Sequence, residues 1–298
     1  MSDIEKSHAQ NIRQRVLRHI LTNGGGYMSQ ACSSAEILSA LYGRILNIGP
    51  SEGDPVPQPF PGVPCNGKKT VTGSCYNGPK APHLDRFIFS PVHYALVLYA
   101  TLIEFGRMDP KGLELFNVDG SSVEMIGAEH SPGHEVTAGS LAQAISQAMG
   151  FALARKLRGD TGRVVVFMSD GEYEEGQTYE ALGTAAFHKL GNLLIFVDAN
   201  GFQCDGIMTG VGCVEPMKAR IEAFGCTAEE VCGHDIDAIC QAATHTTPDK
   251  PHVVICRTDP CHGLEKLRER WPRLHYLRFK TPEERDGYEK ICQEWENA

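Results

Sequence analysis

Apolar residues along this chain follow two rhythms. Residues 3–22 set Ile12, Val16 and Ile20 four apart, which predicts an amphipathic helix. Gly24-Gly25-Gly26 breaks it, and Ser33 or Ser34 suits the cap of a second helix. That helix would turn Ile37, Leu38, Leu41, Tyr42 and Ile45 to one side. RFIFS, residues 86–90, predicts a short strand, and His93 opens the next helix, with Leu96, Tyr99, Leu102 and Ile103 on its apolar side. A helix over 139–157 is crowded with Ala142, Ala144, Ala148, Gly150, Ala152 and Ala154. Such small residues suit tight packing within a fold, a subunit interface or a cofactor wall. The second rhythm then takes over in VVVFM (164–168), NLLIFV (192–197) and HVVIC (252–256). A weaker strand lies near Val231, before Gly233-His234-Asp235. Strands apolar on both faces, alternating with helices, predict an α/β fold with a mainly parallel central sheet between two helical layers. No repeat or linker divides the chain, so one domain over 1–298 is expected.

Residues 50–83 fit neither rhythm. Pro55, Pro57, Pro59, Pro61, Pro64, Pro79 and Pro82 alternate with glycines, which excludes helix and central strand. A loop of this length is functional or mobile. A lid, a partner-binding flap and a decorated surface all stay open.

Composition narrows the function classes. A length of 298 residues allows a large core. A net charge of −9 lacks the concentrated basic surface that nucleic acid demands. No apolar run approaches a membrane span, and MSDIEKSHAQ has no signal-peptide pattern, so no membrane role and a cytoplasmic location are expected. The 11 cysteines are odd in number and include no CxxC pair. Most sit in apolar runs, as Cys256 does, and are expected to be reduced. Spacing offers Cys65 with Cys75, or Cys261 with His262, as thin zinc candidates.

The chemistry concentrates where VVVFM ends in Ser169-Asp170-Gly171-Glu172. A carboxylate at the end of a buried strand is costly unless something pairs with it. In open parallel sheets, ligands bind beyond the carboxyl ends of the strands. The next strand ends in VDANGF and supplies Asp198 and Asn200 about one crossover later. A right-handed crossover sets Asp170 and Asn200 on the same rim. One carboxylate and one amide oxygen form the partial cage that Mg²⁺ completes with phosphate oxygens and water. Gly171 admits a phosphate to the backbone, and the helix starting near Glu172 offers its amino-terminal dipole to an anion. The plainer alternative makes Asp170 a helix cap and Asn200 a turn residue. The two together, at this spacing, favour a Mg²⁺–diphosphate site.

SDGEYEEGQTYEALGTAAFHKLGNLLIFVDANGFQCDG resembles the thiamine diphosphate signature, and AEILSALY, DRFIFSPVHYALVLYATL and PGHEVTAGSLAQAISQAMG narrow the resemblance to the transketolase family. The resemblance implies that Asp170, Asn200 and the Phe202 carbonyl hold Mg²⁺, or Ca²⁺ or Mn²⁺ in its place, with Gly171 and Glu172 near the diphosphate. His93 matches a histidine close to the cofactor, and Gly139 and Leu141 match positions whose backbone faces the aminopyrimidine. Glu175 and Glu180 match acidic residues facing the partner chain. A second family histidine falls on His130, or on His134. The late Gly-Lys-Gly block reads Asp259-Pro260-Cys261-His262-Gly263, and His275 matches a downstream histidine; either histidine would reach the diphosphate. Tyr27 replaces a family histidine beside the substrate, and a phenol does not share a proton near neutral pH as imidazole does.

Full-length members carry a second, pyrimidine-binding domain, for which this chain has no room. The resemblance therefore implies the amino-terminal subunit of a split transketolase, expected as an α2β2 heterotetramer with a separate carboxy-terminal subunit. It would move a two-carbon ketol unit from a ketose to an aldehyde. The rival readings are a 2-oxo-acid decarboxylating component and a non-catalytic scaffold subunit. A nucleotide-binding oxidoreductase would need a glycine-rich turn after its first strand, and the GGG at Gly24 follows a helix instead.

Overall fold

The computed structural model describes residues 2–62 and 72–297. Five strands form a parallel sheet: β1 (Arg86–Phe89), β2 (Val164–Ser169), β3 (Leu193–Ala199), β4 (Thr227–Cys232) and β5 (His252–Arg257). Their spatial order is β1-β2-β3-β5-β4. The predicted strands are all present, the weak one at Val231 as β4.

Alternation along each strand sorts the side chains into two cores. Phe87, Phe89, Val165, Phe167, Leu194, Phe196 and Val254 pack against α1 (Ser2–Asn23), α2 (Met28–Ala40) and α3 (Ala95–Glu104). Ile88, Val164, Val166, Met168, Ile195 and Val253 pack against α4 (Gln143–Arg158), α5 (Gly176–Phe187) and α6 (Met217–Ala223). The short α7 (Ile236–Ala242) and the final α8 (Pro282–Glu296) complete the first layer. Each fully buried aliphatic or aromatic side chain contributes roughly 1.5–3 kcal/mol, so a doubly covered sheet is a rigid base for loops at its rim.

Three helix starts differ from expectation, one of them the helix expected near Glu172: that residue lies in a short helical turn, Asp170–Glu174, which the extended Glu175 ends, and α5 begins only at Gly176. Ser33 and Ser34 lie inside α2, which begins at Met28 with Tyr27 as its cap residue. The reason is tertiary: Gly25-Gly26 pairs antiparallel with Leu277-Arg278, so the chain leaves that ladder straight into the helix. The helix expected over 139–157 begins only at Gln143, because Ala142 is left-handed at φ 63°. Residues 139–142 are thereby freed as a loop.

The described parts of the 50–83 segment hold one short helical turn, Gly73–Asn77, and no strand. They are pinned by backbone bonds such as Phe60 N–H to Gly120 O at 2.8 Å and Asp109 N–H to Pro55 O at 2.7 Å. A Cβ on Gly73 would stand 1.7 Å from the Ser131 carbonyl, so only glycine allows this approach. Pro64 and Cys65 lie outside the described residues. Among the described residues every cysteine is a free thiol, and no helix is long and apolar enough to cross a membrane.

Candidate active site

The carboxyl ends of β2 and β3 lie side by side, with Ser169 opposite Asp198. Asp170 Oδ2 accepts the Gly201 N–H at 2.7 Å, tying the two strand-end turns together. Asp170 Oδ1 is buried and has no partner among the described residues. Burial pushes this carboxyl well above the usual range, and the neighbouring Asp198 pushes it further. A group in that state is complementary to a cation.

Asp198, whose part the sequence did not reveal, is completely buried beside it. Its Oδ2 accepts Ser33 Oγ at 2.5 Å and Tyr94 OH at 3.1 Å, and its Oδ1 accepts Thr258 Oγ1 at 2.5 Å. Strand alternation turns it toward α2, the side of Leu194 and Phe196, which is how Ser33 meets it. Asn200 donates its amide N–H to Tyr94 OH at 3.2 Å and to Asp198 at 3.3 Å. Those acceptors turn the Asn200 oxygen the other way, where it accepts the Phe202 N–H at 2.9 Å. Carboxylate and amide oxygens on a fixed rim, one of them orphaned, are donors that fit a hard dication.

A pocket of about 270 Å³ opens over this rim. Asp170, Gly171, Asn200, Phe202, Gly139 and Leu141 all line it, as do Tyr27, His93, His275 and Glu175. No lysine or arginine among the described residues does. His93 sits in a tight turn just before α3. Burial, and then the nearby His275, push its imidazole down to about 3. Burial likewise pushes His275 down. Tyr27 packs edge-on against both rings, at 5.8 Å and 5.4 Å between centroids, and burial raises its phenol. Pocket-lining residues that sequence reasoning missed include Gln30, Ile126, Glu174, Gln203 and Cys204. Glu174, Gln203 and Cys204 directly adjoin Glu175 and Phe202 in the sequence, whereas Gln30 on α2 and Ile126 reach the pocket from distant segments that no spacing signal joins to it.

Several expected residues lie elsewhere. Glu172 is fully buried behind the pocket rather than lining it. Ser90 and the Ala142 N–H, the latter at 3.1 Å, bind one oxygen, and the Ser169 N–H and hydroxyl, at 2.9 and 3.2 Å, bind the other. Its side chain is thus a bracket holding the 139–142 loop to the Asp170 turn. His130 stacks on Phe60 at 4.1 Å and meets Glu124 at 3.0 Å, outside the pocket. His134 is fully buried, with its imidazole pushed down to about 4 by burial. Ile126 lines the pocket from their segment instead. Glu180 is exposed on α5, away from the lining residues. The turn at 259–263 presents Pro260 to the pocket, not His262.

His262 instead stacks on His234 at 3.7 Å, beside Glu36. Among the described residues this trio is the one group of three His, Cys, Asp or Glu side chains with ligand atoms close enough to share a metal, and Cys261 is not in it. Hydrogen bonding argues against an ion. The Asp259 N–H donates to His234 Nε2 at 2.8 Å, so the ring proton sits on Nδ1, facing Glu36 at 3.0 Å. A protonated Nδ1 cannot ligate. A larger groove of about 580 Å³ runs between α1, α3 and α8, but its charges largely pair with one another, Arg18 with Glu296 at 2.8 Å and Arg15 with Glu104 at 3.7 Å.

Fold and rim together define an α/β protein of the class that binds its ligand across adjacent strand ends. Residues 71–266 match the transketolase thiamine diphosphate-binding domain. An uncharacterised transketolase family protein of Sinorhizobium fredii is 35% identical over 280 residues, covering 92% of this chain and 90% of its own. One of the subunits of the apulose-4-phosphate transketolase of Actinobacillus succinogenes is 30% identical over 294 residues, covering 98% and 97%. A solved transketolase of Pichia stipitis superposes with a TM-score of 0.71 at 24% identity, over 99% of this chain and 46% of its own. This chain therefore spans about half the length of the solved transketolases it matches. The chain belongs to the transketolase family.

Proposed function

We propose that this chain is the diphosphate-binding subunit of a two-chain transketolase, one folded unit over residues 1–298, which transfers a two-carbon ketol unit from a ketose to an aldehyde. Asp170 Oδ1, without a partner among the described residues and on a rim shared with Asn200, carries this reading. Asp170, Asn200 and the Phe202 carbonyl hold Mg²⁺, or Ca²⁺ or Mn²⁺ in its place. Gly171 and Gly139 leave their backbone open to the cofactor: a Cβ on Gly171 would meet only Gln203, at 3.9 Å, and one on Gly139 nothing within 4 Å. When bound, thiamine diphosphate supplies the nucleophilic carbon and electron sink for breaking and making the carbon–carbon bond. His93 and His275, both kept neutral, bind oxygens without adding charge to the site. Tyr27 offers a hydroxyl to the substrate but no base.

The relative from Actinobacillus, matched over 97% of its length, is itself named as one subunit of its enzyme, which supports a separate carboxy-terminal, pyrimidine-binding partner. Glu175 at the pocket mouth and the exposed Glu180 on α5 face that partner in an α2β2 assembly in the cytoplasm. With no lysine or arginine of the described residues lining this pocket, a substrate phosphate or other anionic tail is read by the partner.

Native mass spectrometry of the protein purified from its own cells with Mg²⁺ tests this directly. A second chain of similar size with bound thiamine diphosphate is the expected result, with activity on a ketose donor but not on pyruvate. A homo-oligomer free of cofactor would overturn it. Gly139→Leu supplies a finer check. It should leave the unfolding free energy within about 0.5 kcal/mol of wild type while lowering thiamine diphosphate affinity at least roughly tenfold, because its side chain meets only the pocket.

A further inference from the structure

The two-residue ladder between Gly25-Gly26 and Leu277-Arg278 joins segments some 250 residues apart for very little sheet. Its effect is local: it sets Gln30, in the first turn of α2, against His275. Gln30 is 3% exposed. Its amide nitrogen lies 3.2 Å from the His275 carbonyl oxygen and 3.3 Å from His275 Nδ1. Its amide oxygen accepts the Ser29 hydroxyl at 2.9 Å.

A carbonyl oxygen only accepts, so the group facing it must be the Gln30 NH₂. One amide hydrogen goes to that carbonyl, and the other lies against Nδ1. Nδ1 must then present its lone pair, and the single proton of a neutral imidazole belongs on Nε2. Nε2 has no hydrogen-bond partner among the described residues, and His275 lines the pocket. A doubly protonated ring would set two N–H groups against each other, so the same contact opposes the cation; burial works in the same direction.

We propose that Ser29 and Gln30 are positioning residues that lock His275 as an Nε2–H donor toward the pocket, so that this histidine binds an oxygen of the ligand and does not take a proton from it. His93, 5.5 Å away between ring centroids, has neither nitrogen bonded among the described residues. Its tautomer is left for the ligand to set. The two histidines thus divide the work, one a fixed donor and the other adaptable. The ligand's identity rests on the transketolase reading, but the tautomer does not.

The test is long-range ¹H–¹⁵N NMR on the ¹⁵N-histidine-labelled chain without cofactor, with His275→Ala to assign the signals. Wild type should show His275 as a single Nε2–H tautomer between about pH 6 and 8. Gln30→Met, similar in size but without a donor, should give a mixture. Gln30→Glu places an acceptor against Nδ1 and should move the proton there and raise the titration midpoint of His275. An Nδ1–H tautomer in wild type, or a Gln30→Met spectrum unchanged from wild type, overturns the proposal. The wild-type spectrum and the milder Ser29→Ala serve if a Gln30 variant does not fold. Gln30→Glu should also weaken thiamine diphosphate binding about tenfold, the loss of one hydrogen bond. If the tautomers behave as stated but the wild-type chain does not bind the cofactor, the positioning role stands and the cofactor reading fails.

Discussion

Asp170→Asn is expected to abolish cofactor binding while making the unliganded chain more stable. In the wild type a carboxylate sits at the end of a fully buried strand, with Oδ1 unpartnered among the described residues and Asp198 close by. Leaving such an atom buried and unpaired costs about 1–3 kcal/mol. Asparagine keeps an oxygen for the Gly201 N–H and removes the charge. The sign with pH follows from the direction of the shift. A carboxyl whose folded pKa is raised destabilises the fold above that pKa, and the penalty disappears as pH falls toward its ordinary 3.8. The variant's advantage in chemical unfolding should therefore be largest near neutral pH and vanish in acid. Titration calorimetry with thiamine diphosphate and Mg²⁺ should show at least a roughly hundredfold loss of affinity, since a ligating charge worth about 3 kcal/mol is gone. Mg²⁺ with cofactor should raise the melting temperature of the wild type and leave that of the variant unmoved. A variant less stable than wild type yet still able to bind would mean that Asp170 is a structural cap.

Most of this fold is legible in the sequence because its strands are buried on both faces. VVVFM, NLLIFV and HVVIC contain no polar residue to confuse the pattern, save His252 and Asn192 at their starts. The meeting of Asp170 with the Asn200 turn is legible for a related reason: a parallel crossover has only one hand. What the sequence hides depends on contacts between distant segments. Ser33 reads as a cap because cap propensity is local, yet a ladder to Leu277 moved the helix start and left Ser33 to bind Asp198. The resemblance sets Glu172 near the diphosphate, but Ser90 and Ala142 from two other segments, with Ser169 at the end of the preceding strand, drew its carboxylate inward. His130 and His262 each have the right residue type in the right block. Phe60 and His234 offered them stacking partners that no pairwise spacing announces.

Glu36 shows how far such a hidden contact reaches, and its removal should cost more stability than any other single change proposed above. It lies on α2 among apolar neighbours, in a block that reads as plain amphipathic helix, AEILSALY. Its carboxylate binds the Arg13 guanidinium of α1, and His234 Nδ1 donates to the same oxygen at 3.0 Å. Arg13 also donates to the Cys32 carbonyl at 3.2 Å. Both charges are almost wholly buried, at 3% and 6% side-chain exposure. Burial alone would raise the carboxyl, but the His234 hydrogen bond and the Arg13 charge outweigh it and hold Glu36 down at about 2. Removing one partner strands the other, so Arg13→Met or Glu36→Gln should each lose about 3–5 kcal/mol. Replacing both, as Arg13→Met with Glu36→Leu, should recover most of that loss, because an apolar pair removes the desolvation cost along with the attraction. Acid supplies an independent measure. A carboxyl with a depressed folded pKa contributes stability above its ordinary 4.5 and loses it as pH falls through about 2. Wild type minus Glu36→Gln, followed by urea unfolding from pH 5 to pH 2, should shrink by about 3 kcal/mol, the worth of that shift at 1.36 kcal/mol per unit. A difference that stays flat across this window would show that Glu36 is held by packing and not by charge.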